Sequence, residues 1–122
     1  MKLFLDTADV DSISDSFLTG LIDGVTTNPT LMMKSGKNPE DVYQDLINLG
    51  VPDISMEVVG DSYEMIQEGL RLFEKFGQQA TIKVPCTPDG LIACRELSRN
   101  LIKVNVTLIF SPSQAILSAK AG

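Results

Sequence analysis

Histidine is absent from this chain of 122 residues. Without an imidazole group, the sequence cannot form a histidine-based catalytic triad, an imidazole general base or most kinds of zinc and copper site. Cysteine is scarce, since only Cys86 and Cys94 are present, and their spacing matches no metal-binding or redox motif. A reducing, cytoplasmic location is therefore the simpler interpretation.

Positive charge and long apolar runs are also lacking. The chain has 10 basic and 16 acidic residues, a net charge of −6, so we expect no nucleic-acid partner and no anionic membrane surface. No apolar stretch approaches the roughly 20 residues of a membrane-spanning helix, and the early Asp6 argues against a signal peptide. With 43% hydrophobic residues and no linker, residues 1–122 are predicted to form one globular domain.

Short apolar segments alternate with helical ones along the whole chain. The predicted strands cover residues 3–6, 24–28, 54–59, 81–85 and 104–110, and the predicted helices cover residues 9–18, 39–49, 62–76, 89–98 and 112–119. Strict alternation predicts an α/β fold with a parallel sheet and right-handed crossovers. A (β/α)8 barrel typically needs about 250 residues. The residues alone therefore leave two interpretations, a small open sheet or the N-terminal part of a barrel, and the end after a fifth helix favours the barrel.

Lys83 lies in the middle of the apolar, β-branched run at residues 80–85. Such a run is typical of a buried parallel strand. Burying an unpaired ammonium is costly, so burial favours the uncharged amine, which is a nucleophile for carbonyl carbons. This position predicts Schiff-base chemistry.

All five predicted strands carry a polar group near the carboxyl end, on a face set by the two-residue period of a strand. Besides Lys83, these residues are Asp6, Thr26, Asn28, Glu57, Asn105 and Thr107. Ligands of α/β proteins bind at this end of the sheet, so the convergence predicts a carbonyl-processing site. Two plainer alternatives stay open: Asp6 could cap a helix, and Glu57 could be an ordinary ion-pair partner of Lys83.

Each residue type suits a step of that chemistry. Lys83 would attack a ketone to give a carbinolamine and then an iminium, and Asp6 would take the proton of the hydroxyl that becomes an aldehyde. Glu57 and Thr107 could hold the water that shuttles protons. The neutral hydrogen-bonding groups suited to sugar hydroxyls are Thr26, Asn28 and Asn105. With an imine as electron sink, neither a metal nor another cofactor is required.

Four segments in order resemble the transaldolase family. They are FLDTA at residues 4–8, GVTTNPT at 24–30, IKVP at 82–85 and NVTLIFS at 105–111. The small bacterial and phage-type subfamily, which also contains fructose-6-phosphate aldolase, is the most similar. The resemblance implies a class I aldolase-type (β/α)8 TIM barrel without metal, of which this chain carries about the first five units.

The resemblance also implies an activity. A dihydroxyacetone unit would move from a ketose phosphate, sedoheptulose 7-phosphate or fructose 6-phosphate, to an aldose phosphate in the pentose phosphate pathway. The partners would be sugar phosphates and further copies of the chain, often as a decamer.

By the matched motifs, Lys83 resembles the Schiff-base lysine and Asp6 the acid/base at the C4 hydroxyl of the donor. Asn28 and Asn105 resemble donor-binding asparagines. Glu57 matches the glutamate that positions the catalytic water with Thr107. Because the aldolase branch typically has glutamine there, Glu57 favours transaldolase.

This sequence also departs from the family pattern. The usual chain is roughly half as long again or more, and its later strands supply a serine, a Gly-Arg segment and basic phosphate-binding residues that do not occur here. Fructose-6-phosphate aldolase and a catalytically inactive, self-associating fragment therefore remain alternatives. Lys103 shares the predicted face of Asn105 and is the next candidate nucleophile, set aside on its position and on the resemblance.

Overall fold

A computed structural model describes residues 1–122 and contains one sheet of five parallel strands. The strands are β1 (Phe4–Asp6), β2 (Gly24–Thr26), β3 (Ile54–Glu57), β4 (Ala80–Pro85) and β5 (Lys103–Thr107). The helices are α1 (Val10–Phe17), α2 (Pro29–Ser35), α3 (Pro39–Asn48), α4 (Ser62–Phe76), α5 (Pro88–Arg99) and α6 (Pro112–Ala121), with a 3-10 turn at Gly77–Gln79. The α/β class and the parallel sheet are confirmed.

The order of the strands in the sheet follows their order in the chain, from β1 at one edge to β5 at the other. This succession is that of part of a (β/α)8 barrel, in which each strand lies beside the next one in sequence. β1 and β5 do not pair with each other, so the sheet is open. Apolar side chains are exposed after β5 and on α6, and they are Leu108, Ile109, Phe110, Ile116 and Leu117.

Three strands, β2, β3 and β5, end earlier than predicted, and α2 was not predicted at all. Residues 27–28, 58–59 and 108–110 lie outside the strands. Asn28 instead caps α2, with its side-chain oxygen accepting a hydrogen bond from the amide of Leu31 at 2.9 Å, and Pro29 occupies the first turn. The same Asn-Pro signal correctly predicted the start of α3 at Asn38-Pro39.

The apolar core lies between the sheet and the helices. It is one cluster of 21 buried residues, to which β4 contributes Ala80, Ile82 and Val84. Gly69 of α4 lies against the side chains of Ile82 and Leu97, so Ile82 faces the helices. Because side chains alternate along a strand, Lys83 takes the opposite face.

None of the helices combines the length and the apolar character that crossing a membrane requires.

Gly90, in the first turn of α5, lets that helix approach the carboxyl end of β4. A β-carbon at Gly90 would overlap the carbonyl oxygen of Pro85. A β-carbon at Gly69, by contrast, would lie 3.0–3.2 Å from side-chain atoms of Leu97 and Ile82, and these side chains can shift.

We expect Gly90→Ala to lower the free energy of unfolding by about 1–3 kcal/mol, because backbone atoms must move to relieve the overlap. Gly69→Ala should cost less, since the better helix propensity of alanine offsets part of the crowding. Urea unfolding followed by circular dichroism measures both. A Gly90→Ala protein as stable as the parent would contradict this account of the α5–β4 junction.

Candidate active site

Three polar residues lie side by side on neighbouring strands of the sheet. The β3–β4 register pairs Glu57 with Lys83, and the β4–β5 register pairs Lys83 with Asn105. Strands in a sheet are about 4.8 Å apart, so residues paired in register present their side chains next to one another on the same face. The polar row Glu57–Lys83–Asn105 is therefore fixed by the backbone of three strands.

The amine of Lys83 is buried and has two acceptors. Lys83 is 8% exposed, and its Nζ lies 3.1 Å from Oε2 of Glu57. The same Nζ donates a hydrogen bond to the backbone carbonyl of Thr27 at 2.8 Å. The Lys83 amine is therefore paired and not isolated. The alternative in which Glu57 is the ion-pair partner of Lys83 describes the geometry, and a proton passed from Lys83 to Glu57 would free the nucleophile.

Asn105 is held in place by Ser55. Its Nδ2 donates to the hydroxyl of Ser55 at 3.1 Å, and Ser55 is buried. With the amide nitrogen engaged, the side-chain oxygen of Asn105 makes no hydrogen bond within the protein and can accept one from a ligand. Ser55 lies two residues before Glu57 on the same face of β3, so it binds Asn105 from the amino-terminal side of the row.

Thr26 and Asn28 lie at the carboxyl end of β2, on either side of Thr27. Asn28 is beyond the strand, where its oxygen caps α2 and its amide nitrogen has no partner in the protein. Thr26 is half-buried and its hydroxyl makes no hydrogen bond in the structure. Both side chains therefore keep hydrogen-bonding capacity for a ligand.

The side chains of Asp6 and Thr107 make no hydrogen bond or ion pair with the row. Asp6 is exposed at the end of β1, in register with Thr26, and its carboxylate makes no hydrogen bond or ion pair. Through the registers of β2 and β3 it aligns with Thr81, two residues before Lys83. Asp6 is not a helix cap either, since Asp9 occupies that position of α1.

Thr107 lies two residues beyond the row on β5, in register with Pro85. Its carbonyl accepts a hydrogen bond from the amide of Cys86 at 2.8 Å, and its hydroxyl is without a protein partner. The structure thus brings together Lys83, Glu57 and Asn105, and it leaves Asp6 and Thr107 on the same sheet without a hydrogen bond to them.

Lys103 belongs to a different cluster, at the amino end of the strands. Its Nζ lies 3.5 Å from Oδ2 of Asp53, whose other oxygen accepts a hydrogen bond from the hydroxyl of Thr81 at 2.6 Å. Lys2 also reaches Asp53, at 3.4 Å. The Lys103 amine is thereby directed away from the carboxyl end, where the polar row lies.

Thr27 and Tyr43 were not predicted as part of the site. Thr27 contributes a backbone carbonyl, for which a sequence carries no side-chain signal. Tyr43 and Glu57 both line a cavity of about 540 Å³ between α2, α3 and α4. Burial raises the pKa of the Tyr43 hydroxyl, the nearby hydroxyl of Thr27 lowers it, and the charge of Glu57 raises it further. No group of three or more His, Cys, Asp or Glu side chains is placed to hold a metal ion.

Comparison with known proteins places the chain in a family. Residues 3–122 match the family model described as transaldolase/fructose-6-phosphate aldolase. Proteins named probable transaldolase are similar along the whole chain: 50% identical in Nitrosopumilus maritimus, 53% in Anaeromyxobacter sp. (strain K) and 50% in Geobacter sulfurreducens. The chain belongs to the transaldolase/fructose-6-phosphate aldolase family, and its five β/α units are consistent with part of the TIM barrel of that family.

The chain is shorter than these relatives. All of it aligns, but it spans only 55%, 56% and 57% of the three proteins, respectively. The relatives therefore contain a large segment that has no counterpart in the 122 residues described here.

Breaking the ion pair of Lys83 and Glu57 should lower the stability of the fold. We expect Glu57→Leu to lower the free energy of unfolding by about 3–5 kcal/mol, because it leaves a buried ammonium without its counter-charge. Adding Lys83→Met should restore most of that loss, since an apolar pair of similar size has no charge to desolvate. Glu96→Leu, which removes an exposed ion pair with Arg99, is the control and should cost about 0–1 kcal/mol.

Urea unfolding of Glu57→Leu, Lys83→Met and the double variant completes this thermodynamic cycle. Equal losses for Glu57→Leu and Glu96→Leu would show that the amine does not depend on its carboxylate.

Proposed function

We propose that this chain carries the Schiff-base centre of a transaldolase, which transfers a dihydroxyacetone unit from a ketose phosphate to an aldose phosphate. The observation that supports this proposal is the buried amine of Lys83, 3.1 Å from the Glu57 carboxylate and in register with Asn105. An amine that can pass its proton to a neighbouring carboxylate is an activated nucleophile. The family membership and the relatives named probable transaldolase point the same way.

The first step forms the iminium. Lys83 gives a proton to Glu57, and the free amine attacks the ketone carbon of the donor, so that a C–N bond forms. The carbonyl oxygen becomes a hydroxyl, which then leaves as water when Glu57 returns the proton. The positive iminium now joins Lys83 to the substrate carbon. Its nitrogen still carries a proton, which it can donate to the Thr27 carbonyl.

The second step breaks the carbon–carbon bond beside the iminium. We assign Asp6 as the base that takes the proton of the donor's C4 hydroxyl, so that the C4 oxygen becomes the aldehyde oxygen. The bonding electrons move to the iminium nitrogen and leave an enamine on Lys83. Attack of this enamine on the acceptor aldehyde forms the new bond, while Asp6 returns its proton to the aldehyde oxygen, which becomes a hydroxyl. Hydrolysis of the resulting iminium then releases the product and the amine.

The remaining polar groups suit substrate and water binding. The amide of Asn28, the side-chain oxygen of Asn105 and the hydroxyl of Thr26 have free hydrogen-bonding capacity for the hydroxyls of a sugar. Thr107, two residues beyond the row on β5, would hold the hydrolytic water together with Glu57. Asp6 and Thr107 reach the reacting atoms through the substrate, which accounts for their lack of contact with Lys83.

The substrates, the assembly and the location of the whole protein are proposals of the same kind. We place the phosphate-binding groups in the portion that the longer relatives possess, and we propose sugar phosphates such as fructose 6-phosphate and sedoheptulose 7-phosphate as substrates. The open β5 edge and its exposed apolar neighbours support association with further copies of the chain. Both cysteines are free thiols, which supports a reducing, cytoplasmic location.

Borohydride trapping tests the nucleophile directly. With fructose 6-phosphate as donor, we expect reduction to fix a dihydroxyacetone unit or the whole donor on Lys83, as shown by intact mass and peptide mapping. Lys83→Arg should abolish the adduct, because a guanidinium stays protonated and cannot form an imine. Lys103→Arg is the matched control and should keep it. A folded parent protein without an adduct would favour a catalytically inactive fragment.

Fructose-6-phosphate aldolase is the second candidate, since the matching family model includes that activity. We expect no free dihydroxyacetone when fructose 6-phosphate is supplied without an acceptor, because a transaldolase retains the three-carbon unit on its lysine. Chromatography of the products over time measures it. Sustained release of dihydroxyacetone and glyceraldehyde 3-phosphate would reverse the order of the two candidates.

A further inference from the structure

Glu57 has access to two separate spaces. Its Oε2 contacts the amine of Lys83, and Glu57 also lines the cavity between α2, α3 and α4. Lys83 does not line that cavity. Glu57 therefore contacts both the reacting amine and the cavity.

The cavity is large and polar enough to hold water. Its volume of about 540 Å³ exceeds that of a single water molecule many times over. Tyr43 and Glu57, which both have polar side chains, are among the residues that line it. Ordered water needs two to four polar partners, and these two side chains can supply the minimum.

The other charged groups of the cavity largely satisfy one another. Arg71 of α4 donates to Glu68 at 2.7 Å and to Glu40 of α3 at 2.6 Å. Lys75 also pairs with Glu40, and Lys37, on the rim, lies 3.5 Å from Asp45. Glu57 is the carboxylate of the cavity that has no arginine partner, and its only ion pair is with Lys83.

Schiff-base chemistry requires water and protons to enter and leave the site. Each iminium that forms releases one water molecule, and each iminium that hydrolyses consumes one. A sugar bound on the carboxyl end of the strands would cover the direct path from bulk solvent to Lys83. A path behind Glu57 would remain open throughout the cycle.

We propose that the cavity between α2, α3 and α4 is a solvent port, in which water held by Tyr43 and Glu57 lets Glu57 exchange protons and water with bulk solvent while the sugar occupies the sheet. The inference rests on the proposed function, because it gives Glu57 the proton-transfer role. It adds a route and a second residue, Tyr43, which acts through Glu57 as a positioning residue. The ligand of the port is water alone.

The first test needs no substrate. The chain has two tyrosines and no tryptophan, so Tyr63→Phe leaves Tyr43 as the only titrating phenol. Because ionised Glu57 raises the pKa of Tyr43, Glu57→Gln in this background should lower the pKa read from phenolate absorbance. Glu74→Gln, on the exposed side of α4, is the control and should leave it unchanged. The same Tyr43 pKa in both variants would overturn the port, and circular dichroism verifies that each variant is folded.

The second test measures water exchange. Every cycle of imine formation and hydrolysis replaces the carbonyl oxygen of dihydroxyacetone with solvent oxygen, which mass spectrometry detects in isotopically labelled water. Met33→Trp fills the cavity from α2 and should slow this exchange several-fold, with the Lys83→Met protein giving the uncatalysed background. Leu18→Trp, equally exposed but outside the cavity, is the control and should match the parent.

Equal exchange rates in the two tryptophan variants would overturn the port. The two proposals fail in different ways: a folded parent that traps no adduct contradicts the Schiff-base function, and the tyrosine titration still decides whether Tyr43 and Glu57 communicate through the cavity. A trapped parent with an unresponsive Tyr43 contradicts the port alone.

Discussion

The buried ion pair between Lys83 and Glu57 is the interaction on which the candidate site depends. Two charges taken out of water are tolerated only when their geometry is good and their remaining hydrogen-bonding positions are filled. Here the β3–β4 register sets the two residues side by side, and the Thr27 carbonyl at the end of β2 supplies a second acceptor. The position of the amine therefore requires three neighbouring strands to keep their alignment, which links the chemistry directly to the sheet.

The two ends of the sheet differ in how completely their polar groups are paired. At the amino end, Asp53 receives the Thr81 hydroxyl and two lysine amines, so that end is closed by protein contacts. At the carboxyl end, the hydroxyls of Thr26 and Thr107 and the amide nitrogen of Asn28 remain free. Free hydrogen-bonding groups beside a reactive ion pair are what a polar substrate requires, and the carboxyl end is where α/β barrels bind their ligands. The same contrast separates Lys83 from Lys103, two lysines on one face of the sheet with different surroundings.

Much of this arrangement follows from sequence alone, because alternation along strands and between elements depends on local pattern. The β-α alternation, the caps at Asn38 and the shared face of Glu57, Lys83 and Asn105 were predicted in this way. Parity gives the face of a residue but not its partner, so the pairing of Lys83 remained open between an isolated amine and an ion pair. The short helix α2 was missed because the predicted strand was extended from the β-branched residues 25–27 through Asn28, although Asn28-Pro29 carries a capping signal. The role of the Thr27 carbonyl and the distance of Asp6 from the row depend on three-dimensional register, which no local pattern encodes.

We expect that Lys83, and no other lysine, forms a covalent imine with a ketone at the carboxyl end of the sheet. Carbon NMR of the protein mixed with dihydroxyacetone labelled at its carbonyl carbon tests this without any reducing agent. We expect a protein-bound imine or carbinolamine resonance that is lost in Lys83→Met and retained in Lys103→Met. A resonance that survives in folded Lys83→Met, or none at all in the folded parent, would contradict it.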